Sequence, residues 1–394
     1  MTPDQVWGRL SDEGGSSLTR IDHIEVFPLA IPMTRSFSFA SGSVGEAGGT
    51  APHILVRVTD SDGAFGWGEG RPVPQWSYET AGSVVDALRN HLGPAVTGLP
   101  VADLRGLRRA MHSMIGRGPS VGMPIAKAAL DIALHDLMAR RCDLTLREFL
   151  GGARDRNRVE LSWTVTAHDL ETLERDAAEG RDEGFRHFNF KAAVSPSTDA
   201  DIARWLCDNR PEGGFVWADA NQGYTLPDAR RAASLFLDLG VDLLEQPLPA
   251  DRMGLMRQLR VSTAMTLAVD EASVGTADFF AYAAEGLVDS LVVKVTRSAG
   301  LGPSLQQMAI AEAAGLTSVV SGLTDGLLTK LAACQLAAAT GIEGPAALNG
   351  SQFIDEGVLY PDKASVEHDG VVELNDEPGI GMEPHPEGLK QYAA

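Results

Sequence analysis

Three acidic residues and a lysine recur at nearly one interval along this chain of 394 residues. Asp219, Glu245, Asp270 and Lys294 are separated by 26, 25 and 24 residues, and each closes an apolar run. The interval matches roughly one strand, one helix and two loops, so each side chain is expected at the C-terminal end of its own parallel strand. The sequence therefore predicts that all four side chains meet at one mouth.

The types of these residues predict a metal site. Carboxylates at the ends of apolar strands are costly to bury, and converging carboxylates repel one another unless a divalent cation lies between them. All-oxygen ligation without His or Cys favours Mg²⁺, with Mn²⁺ as an alternative, over zinc. We therefore predict Asp219, Glu245 and Asp270 as the metal ligands.

Two lysines interrupt apolar runs, where a charged side chain is expensive. Lys191 in FNFKAA and Lys294 in VVKVT end the second and sixth predicted strands, which lie across a barrel from each other. Near a metal and a second lysine, the pKa of an amine falls towards the operating pH, which makes it a competent general base. Two such bases on opposite faces of one carbon can remove a proton from one side and return it from the other.

The elements that carry these residues follow a regular order after Arg158. Eight short β runs alternate with amphipathic helices, which predicts a (β/α)8 barrel with a short last strand. An open doubly wound sheet is the alternative, and it would need a phosphate-binding glycine fingerprint after a strand, which we do not find. The eight runs are VELSWTV, FRHFNFKAA, FVWADAN, DLLEQPL, TLAVDEA, SLVVKVT, TSVVSGL and AALNG.

The remaining segments predict an α+β domain beside the barrel. Two alternating runs joined by Asp62-Gly63 indicate a hairpin, and MPIAKAALDIALHDLMARR indicates a helix. The glycine-rich residues 34–51 fit either a surface loop or a lid over the site. The predicted division is a loose extension over 1–20, a capping domain over 21–152, the barrel over 153–350, and a tail over 351–394 that packs on the cap.

Composition excludes several classes of partner. A net charge of −20 without a basic patch argues against nucleic acid and anionic membranes. No apolar run approaches the ~20 residues that a membrane span needs. The N-terminus lacks a signal-peptide pattern, and the three cysteines are widely spaced, so we expect a cytoplasmic protein with reduced thiols.

The chemical residues and their surrounding motifs together resemble the enolase superfamily, and within it the muconate lactonizing subgroup of the mandelate racemase/muconate lactonizing enzyme family. The resemblance extends from about residue 21 to about residue 385, and it includes AKAALDIALHDL, LREFLGG and the RSAGL that follows Lys294 closely. It implies a capping domain on a modified (β/α)7β barrel. It further implies a Mg²⁺ ion that binds the substrate carboxylate and stabilises an enolate. Asp219, Glu245 and Asp270 would hold the metal, and Lys191 and Lys294 would be the acid/base pair.

Three positions depart from the pattern of the family. The usual KxK of strand two reads Asn189-Phe190-Lys191. Strand seven gives Thr324 and Asp325 where many members carry a glutamate, and strand eight gives Asn349 in place of a frequent acid. We expect these side chains to contact the substrate, and the loss of acids argues against a dipeptide epimerase that binds an ammonium group.

Further substrate contacts are predicted from aromatic and amide side chains. Phe37, Phe39 and Trp163 can form an apolar or cation–π wall for a quaternary ammonium group, and the weaker similarity is to members that act on proline betaines. Asn221, beside Asp219, completes the predicted set. The alternative for the aromatic residues is simple packing.

The expected activity is abstraction of the α-proton of a small carboxylate, most simply by a racemase or epimerase of a proline- or betaine-like amino-acid derivative. A dehydratase of a hydroxylated cyclic amino acid and a muconate-type cycloisomerase share the same first step. The sequence also leaves open a catalytically silent homologue and a Schiff-base aldolase using Lys294. The resemblance further implies a homo-oligomer, either a dimer or an octamer.

Overall fold

A computed structural model describes residues 18–39, 42–116, 118, 121–167, 169–342 and 344–394. Most of the predicted extension and two residues of the predicted lid, 40 and 41, lie outside this part of the chain. Within it, no helix is long and apolar enough to cross a membrane. The three cysteines all lie in described segments and are free thiols.

The first half of the chain forms an α+β cap. Its strands are β1 (Ile21–Pro32), β2 (Phe37–Phe39), β3 (Gly42–Gly45), β4 (Thr50–Asp60) and β5 (Phe65–Gly70). An antiparallel sheet of order β1-β4-β5 is its base, and β2 and β3 pair separately inside the predicted lid segment. The predicted hairpin at Asp62-Gly63 joins β4 to β5, and Gly63 takes the left-handed backbone (φ +85°) that such a turn favours.

The helices of the cap follow β5 in the chain. They are α1 (Pro74–Ser77), α2 (Ala81–Asp86), a π-helical turn (Ala87–Leu92), α3 (Gly93–Val96), α4 (Leu104–Met114), α5 (Pro124–Arg141) and α6 (Leu146–Phe149). The long helix α5 begins at Pro124, where the missing N–H costs nothing, and its alanine face lies against three glycines of β5. A Cβ at Gly68 would lie 2.1 Å from the Ala129 carbonyl oxygen, so only glycine permits this approach.

The second half forms a barrel of seven parallel strands in sequence order, each followed by a helix. The strands are β7 (Ser162–Val165), β8 (His187–Lys191), β9 (Val216–Asp219), β10 (Leu243–Glu245), β11 (Leu267–Val269), β12 (Ser290–Lys294) and β13 (Thr317–Ser321). The helices are α7 (Leu170–Asp182), α8 (Pro196–Asp208), α9 (Leu226–Leu239), α10 (Met253–Arg260), α11 (Thr276–Ala284), α12 (Leu301–Ala313) and α13 (Leu327–Thr340).

A two-residue eighth strand closes the barrel. Ala346 forms a parallel bridge with Leu161, and Ala347 forms one with Ser321, so this short segment joins the two edges of the seven-stranded sheet. The predicted (β/α)7β architecture is therefore confirmed, and the open doubly wound sheet is wrong.

The first predicted barrel run, 159–165, is divided in the structure. Residues Arg158–Glu160 form β6, which pairs with the tail strand β15 (Val371–Glu373) in a separate small sheet. The barrel strand begins only at Ser162. The break occurs at Leu161, whose backbone N–H donates to the Gly370 carbonyl 2.8 Å away.

The C-terminal tail contacts both halves of the molecule. Strand β15 pairs with β6 beside the barrel, whereas the Ala394 N–H donates to the Pro28 carbonyl of the cap at 3.0 Å. The tail elements are α14 (Gly350–Phe353), a 3₁₀ turn (Lys363–Ser365), β14 (Glu367–His368), β15 and α15 (Pro386–Gln391).

Candidate active site

The alternation of side chains along the strands directs the candidate catalytic residues into the barrel. Trp217, Leu243, Ala268 and Val292 pack together as a small hydrophobic cluster inside it. Because successive side chains of a strand point to opposite faces, the residue two positions later faces the same interior, nearer the mouth. Those residues are Asp219, Glu245, Asp270 and Lys294, and Lys191 follows Asn189 in the same way on β8.

Four of the five predicted residues are the last residues of their strands, and Asp270 comes directly after β11. Lys191, Asp219 and Glu245 are register partners across β8, β9 and β10, so their backbones lie side by side. The structure thus brings the predicted residues to one end of the barrel.

The lysines pair with the carboxylates. Lys191 Nζ donates to Asp219 Oδ2 at 2.6 Å, and Lys294 Nζ donates to Asp270 Oδ2 at 2.7 Å. Lys294 Nζ also lies 3.9 Å from Glu245 Oε1. Arg297, buried on the loop after β12, binds the other oxygen of Asp270. The mouth is therefore a dense network of opposite charges shielded from solvent.

Burial and neighbouring charges perturb the pKa values at this mouth. Burial, reinforced by Asp219 and Asp270, raises the pKa of Glu245 well above its usual range. Burial also acts to raise the pKa of Asp270, but Arg297 and Lys294 outweigh it and hold this pKa below its usual value. Burial likewise raises the pKa of Glu271, to about 7. Burial acts to lower the pKa of Lys294, but Asp270 outweighs it and raises this pKa above its usual value, contrary to the lowered lysine pKa predicted from the sequence.

Two aromatic rings of the cap cover the mouth. Lys191 Nζ lies 5.5 Å from the Phe37 ring centroid and 5.8 Å from that of Trp76, within cation–π range. The cavity beneath them measures about 10 Å³, because the lysine side chains and the rings fill it. The residues that line it are Phe37, Trp76, Asn189, Lys191, Asp219, Glu245, Lys294, Ser321, Gly322, Thr324, Ala347 and Asn349.

A larger cavity, about 760 Å³, lies at the opposite end of the barrel and is lined by residues such as Arg156, Glu160 and His187. Its His187 Nε2 already pairs with Glu160 Oε2 at 2.6 Å. It contains neither of the two lysines nor any of the three predicted metal ligands, so the smaller cavity at the mouth is the candidate active site.

The mouth supplies oxygen ligands of the type that a hard divalent cation binds, although the carboxylates among the described residues are not grouped around one metal position. Across the described residues, Glu245 Oε1, Glu271 Oε2 and Asn221 Oδ1 are buried oxygens without a hydrogen-bond partner. Such orphaned acceptors are costly unless a cation or water satisfies them. In the same described part of the chain, no three His, Cys, Asp or Glu side chains are grouped closely enough to hold a metal ion, since lysines and Arg297 lie between the carboxylates.

The charge of the mouth supports the same assignment. Four carboxylates, those of the three predicted ligands and of Glu271, face two lysines and Arg297, which gives a net charge of −1 when all are ionised. A divalent cation between the carboxylates would oppose this negative charge. Buried charges require such compensation.

Side-chain amides hold the strand ends that carry the carboxylates. Gln246 Oε1 accepts from the backbone N–H groups of Asp270 (3.0 Å) and Ala272 (3.2 Å), which joins the ends of β10 and β11. Asn221 Nδ2 donates to Glu271 Oε1 at 3.1 Å, and its backbone N–H donates to Asp219 Oδ1 at 2.9 Å. Asn221 therefore supports the carboxylates and does not line the cavity, and its contact with the substrate stays a prediction.

The structure places Trp163, predicted as part of an aromatic wall, away from the cavity at the barrel mouth. Ser162 and Thr164 face the barrel interior, so Trp163 between them points outwards to the helix layer. Its Nε1 donates to Asp176 of α7 at 3.0 Å, and its ring packs on Phe185 with centroids 5.1 Å apart. Phe39 is also displaced from the cavity.

Phe39 acts through a neighbour instead. Its ring packs against Trp76 with a centroid distance of 5.1 Å, whereas Phe37 and Trp76 themselves face Lys191. Phe37 of the predicted lid segment and Trp76 therefore lie over Lys191, and Phe39 lies behind Trp76.

Of the two strand-seven residues, Thr324 lines the cavity and Asp325 does not. Thr324 adopts a left-handed backbone (φ +57°), which turns the next residue away from the mouth. Asp325 Oδ2 instead accepts from the Leu323 N–H at 2.9 Å, and its Oδ1 accepts from Thr296 Oγ1 at 3.3 Å. The structure therefore places Asp325 outside the cavity, and its contact with the substrate stays a prediction.

The loop that carries Thr324 is held by two charged side chains of the cap. Arg71 Nη1 donates to the Leu323 carbonyl at 2.6 Å. Glu69 Oε2 accepts from the Thr329 N–H of α13 at 3.1 Å. Burial raises the pKa of Glu69 to about 7. We call this pair of contacts the cap–barrel clasp.

Sequence reasoning missed Arg297 and Trp76. Arg297 lies in the RSAGL motif, three residues after Lys294, and a charge so close to a predicted strand end is a usable signal. Trp76 lies on a four-residue helix of the cap, and only the tertiary structure brings it to the barrel mouth.

The protein is a capped (β/α)7β barrel with lysines and carboxylates at the ends of its strands. Residues 23–151 match the family model described as mandelate racemase / muconate lactonizing enzyme, N-terminal domain, and residues 172–388 match enolase C-terminal domain-like. The chain belongs to the mandelate racemase/muconate lactonizing enzyme family of the enolase superfamily.

Similar proteins with assigned activities are isomerases. A chloromuconate cycloisomerase, CbnB of Cupriavidus necator, is 31% identical over 286 residues, covering 71% of this chain and 75% of that protein. An L-Lys-D/L-Arg epimerase of Methylococcus capsulatus is 30% identical over 368 residues, covering 92% and 99%. The chain is an enzyme of this superfamily.

Solved structures support the fold. The muconate lactonizing enzyme from Pseudomonas fluorescens complexed with muconolactone superposes with a TM-score of 0.85 at 23% identity, covering 96% of this chain and 100% of that one.

Proposed function

We propose that this enzyme uses Mg²⁺ to abstract the α-proton of a small carboxylate, and that it racemises or epimerises an amino-acid derivative. The observation that carries the proposal is the pair Lys191 and Lys294. Their strands are four apart in a ring of eight, so the two amines approach the mouth from opposite sides. This is the arrangement that inversion at one carbon requires.

The metal would be held by Asp219, Glu245 and Asp270, and its charge would oppose the negative charge that develops on the substrate carboxylate. The side chains of the enzyme do the rest. One lysine takes the α-proton, and the other donates a proton to the opposite face. Phe37 and Trp76 exclude water from the reacting carbon, which strengthens the electrostatic interactions inside the site.

The wall beyond the lysines is uncharged. Asn189, Thr324 and Asn349 line it, and neither an acid nor a base stands among them. This favours a substrate whose second polar group is neutral, and it disfavours a free ammonium or a second carboxylate. The similarity to an L-Lys-D/L-Arg epimerase supports epimerase chemistry without fixing the substrate.

A muconate-type cycloisomerase is the second candidate, because chloromuconate cycloisomerases are among the relatives at 31% identity. It would act at the same place in its substrate, the carbon atom next to a carboxylate. The two candidates are separated by their substrates: consumption of cis,cis-muconate measured by ultraviolet absorbance would favour the cycloisomerase.

The test is deuterium exchange at the α-carbon in D₂O, followed by NMR. The panel contains N-acylamino acids, dipeptides, cyclic amino acids and their betaines, each with Mg²⁺. We expect exchange with at least one class, and Lys191→Ala and Lys294→Ala should each abolish it on one face while the circular dichroism spectrum stays native. A panel without exchange, or exchange that survives both substitutions, would reject the proposal.

A further inference from the structure

An uncharged hydrogen-bond network lies on the barrel wall beside Lys191. The Asn189 carboxamide oxygen accepts from Ser162 Oγ at 2.5 Å and from Thr164 Oγ1 at 3.0 Å. All three side chains are buried. A carboxamide oxygen has two lone pairs, so these two hydroxyls saturate it.

The network has a direction, which Asn349 sets. Asn349 Nδ2 donates to Thr164 Oγ1 at 2.9 Å. The Thr164 hydroxyl therefore accepts from Asn349 and gives its single proton to Asn189. We call Asn349, Thr164, Asn189 and Ser162 together the amide–hydroxyl relay.

The amide–hydroxyl relay is held in place where the eighth strand closes the barrel. The eighth strand is only two residues long, and Gln352 of α14 completes the pairing that a longer strand would give. Gln352 Oε1 accepts from the Thr164 N–H at 3.0 Å, and its Nε2 donates to the Thr164 carbonyl at 3.3 Å. The backbone of Thr164 is thus held on both sides, as a residue inside a sheet would be.

Two polar atoms of the amide–hydroxyl relay are available to bind a ligand in the cavity. Asn189 and Asn349 both line it. Because the Asn189 oxygen is committed to the hydroxyls behind it, its Nδ2 is the atom available to a ligand. Asn349 Oδ1 is buried and has no partner among the residues that the structure describes. One donor and one acceptor, neither charged, therefore stand next to Lys191.

We propose that the amide–hydroxyl relay positions Asn189 Nδ2 as a neutral donor, and Asn349 Oδ1 as a neutral acceptor, for an uncharged polar group of the substrate. Ser162 and Thr164 are positioning residues, since they act through Asn189. The inference rests on the proposed function, and it specifies that the substrate group in contact with this wall is uncharged. Substrates carrying a charge there are excluded, because these buried amides cannot neutralise it.

The relay predicts different effects for two substitutions at one position. Thr164→Val keeps the shape but removes the hydroxyl, which leaves Asn189 with one donor and Asn349 without an acceptor. Thr164→Ser keeps the hydroxyl and is the matched control. In protein labelled with ¹⁵N-asparagine, the Asn189 carboxamide resonance, identified by its loss in Asn189→Asp, should shift or broaden in Thr164→Val and stay in place in Thr164→Ser. An unmoved resonance in Thr164→Val would overturn the relay.

The substrate part is tested by α-proton exchange on N-propionyl- and N-succinyl-L-phenylalanine, which differ in one distal carboxylate. We expect wild-type kcat/KM to favour the propionyl compound by roughly 10-fold or more. Thr164→Val should lower kcat/KM for the propionyl compound by about 10- to 100-fold, which is the usual range for a misplaced buried hydrogen-bonding group. Thr164→Ser should restore the preference. Equal rates for both compounds, or an equal loss on both in Thr164→Val, would overturn the neutral-group assignment.

The two proposals fail separately. If no compound in the wider panel exchanges its α-proton, the proposed function is rejected while the resonance of Asn189 still decides the relay. If exchange occurs but its kcat/KM is the same in Thr164→Val as in wild type, the proposed function stands and the relay is rejected.

Discussion

The glycine stripe of β5 provides the sharpest stability prediction. Gly66, Gly68 and Gly70 face α5, and a Cβ at Gly68 would lie 2.1 Å from the Ala129 carbonyl oxygen and 2.6 Å from the Ala133 nitrogen. Both neighbours are backbone atoms of a long helix, so no flexible side chain can move aside. An ordinary contact needs about 3.4 Å, so Gly68→Ala requires the helix to move by more than 1 Å.

The expected cost follows from overpacking. Extra methyl groups in a well-packed core usually cost ~1–3 kcal/mol, and a contact with backbone on both sides belongs at or above the upper end. For a protein of 394 residues, a loss of ~3 kcal/mol corresponds to a fall in Tm of about 4 °C, measured by differential scanning fluorimetry. Gly82→Ala is the control, since a Cβ there meets nothing within 4 Å. Alanine also favours its helix.

The same variant tests how the cap is attached. Helix α5 carries Asp131, whose Oδ2 accepts from the Gly302 N–H at 3.2 Å at the start of α12, directly after the loop of Arg297. A displaced α5 should therefore lower activity as well as Tm. If Gly68→Ala melts at the same temperature as Gly82→Ala, the close approach of helix and strand described above is incorrect.

Three further substitutions test other parts of the molecule. Arg297→Met should lower the free energy of unfolding in urea by about 3–5 kcal/mol, because it leaves buried Asp270 with one partner fewer; a loss below ~1 kcal/mol would contradict this. Burial raises the pKa of Glu79 from 4.5 to about 7, so between these pH values the folded chain binds more protons than the unfolded chain. The resulting contribution to stability is full below pH 4.5 and is lost as the pH rises through 7. Glu79→Gln should remove this slope, about 1.4 kcal/mol per pH unit, from urea titrations at several pH values, and an unchanged slope would refute it. Trp163→Phe should leave kcat/KM within about 3-fold of wild type, since the ring faces α7, whereas Trp76→Ala should change it by more than 10-fold; the reverse order would show that Trp163 contacts the substrate.

The part of the site that is predictable follows from strand periodicity. Regular spacing identifies the ends of β9, β10, β11 and β12, because each apolar strand stops where a charged residue appears, and Lys191 marks the end of β8 as a lysine within an apolar run. Family resemblance then gives the capped (β/α)7β barrel. These features depend on local sequence and on repetition, which a single chain displays directly.

The predicted and observed placements of side chains differ where the direction of a side chain depends on a break in a strand or on a turn. The run 159–165 has the pattern of one strand, but the break at Leu161 makes Ser162 and Thr164 the inward residues and sends Trp163 outwards. The left-handed backbone of Thr324 turns Asp325 away in the same manner. Trp76 reaches the site only because the cap folds over the barrel, and no sequence pattern encodes that contact.

The cap–barrel clasp limits how this family can be recombined. Glu69 and Arg71 belong to the cap, yet they satisfy backbone groups of Leu323 and Thr329 in the barrel. A chimera that takes its cap from a relative without an acid and an arginine at these positions would leave buried backbone groups unpaired and release the loop that carries Thr324. Replacement of the whole cap would therefore also perturb the barrel, and a transplanted cap must carry both the acid and the arginine.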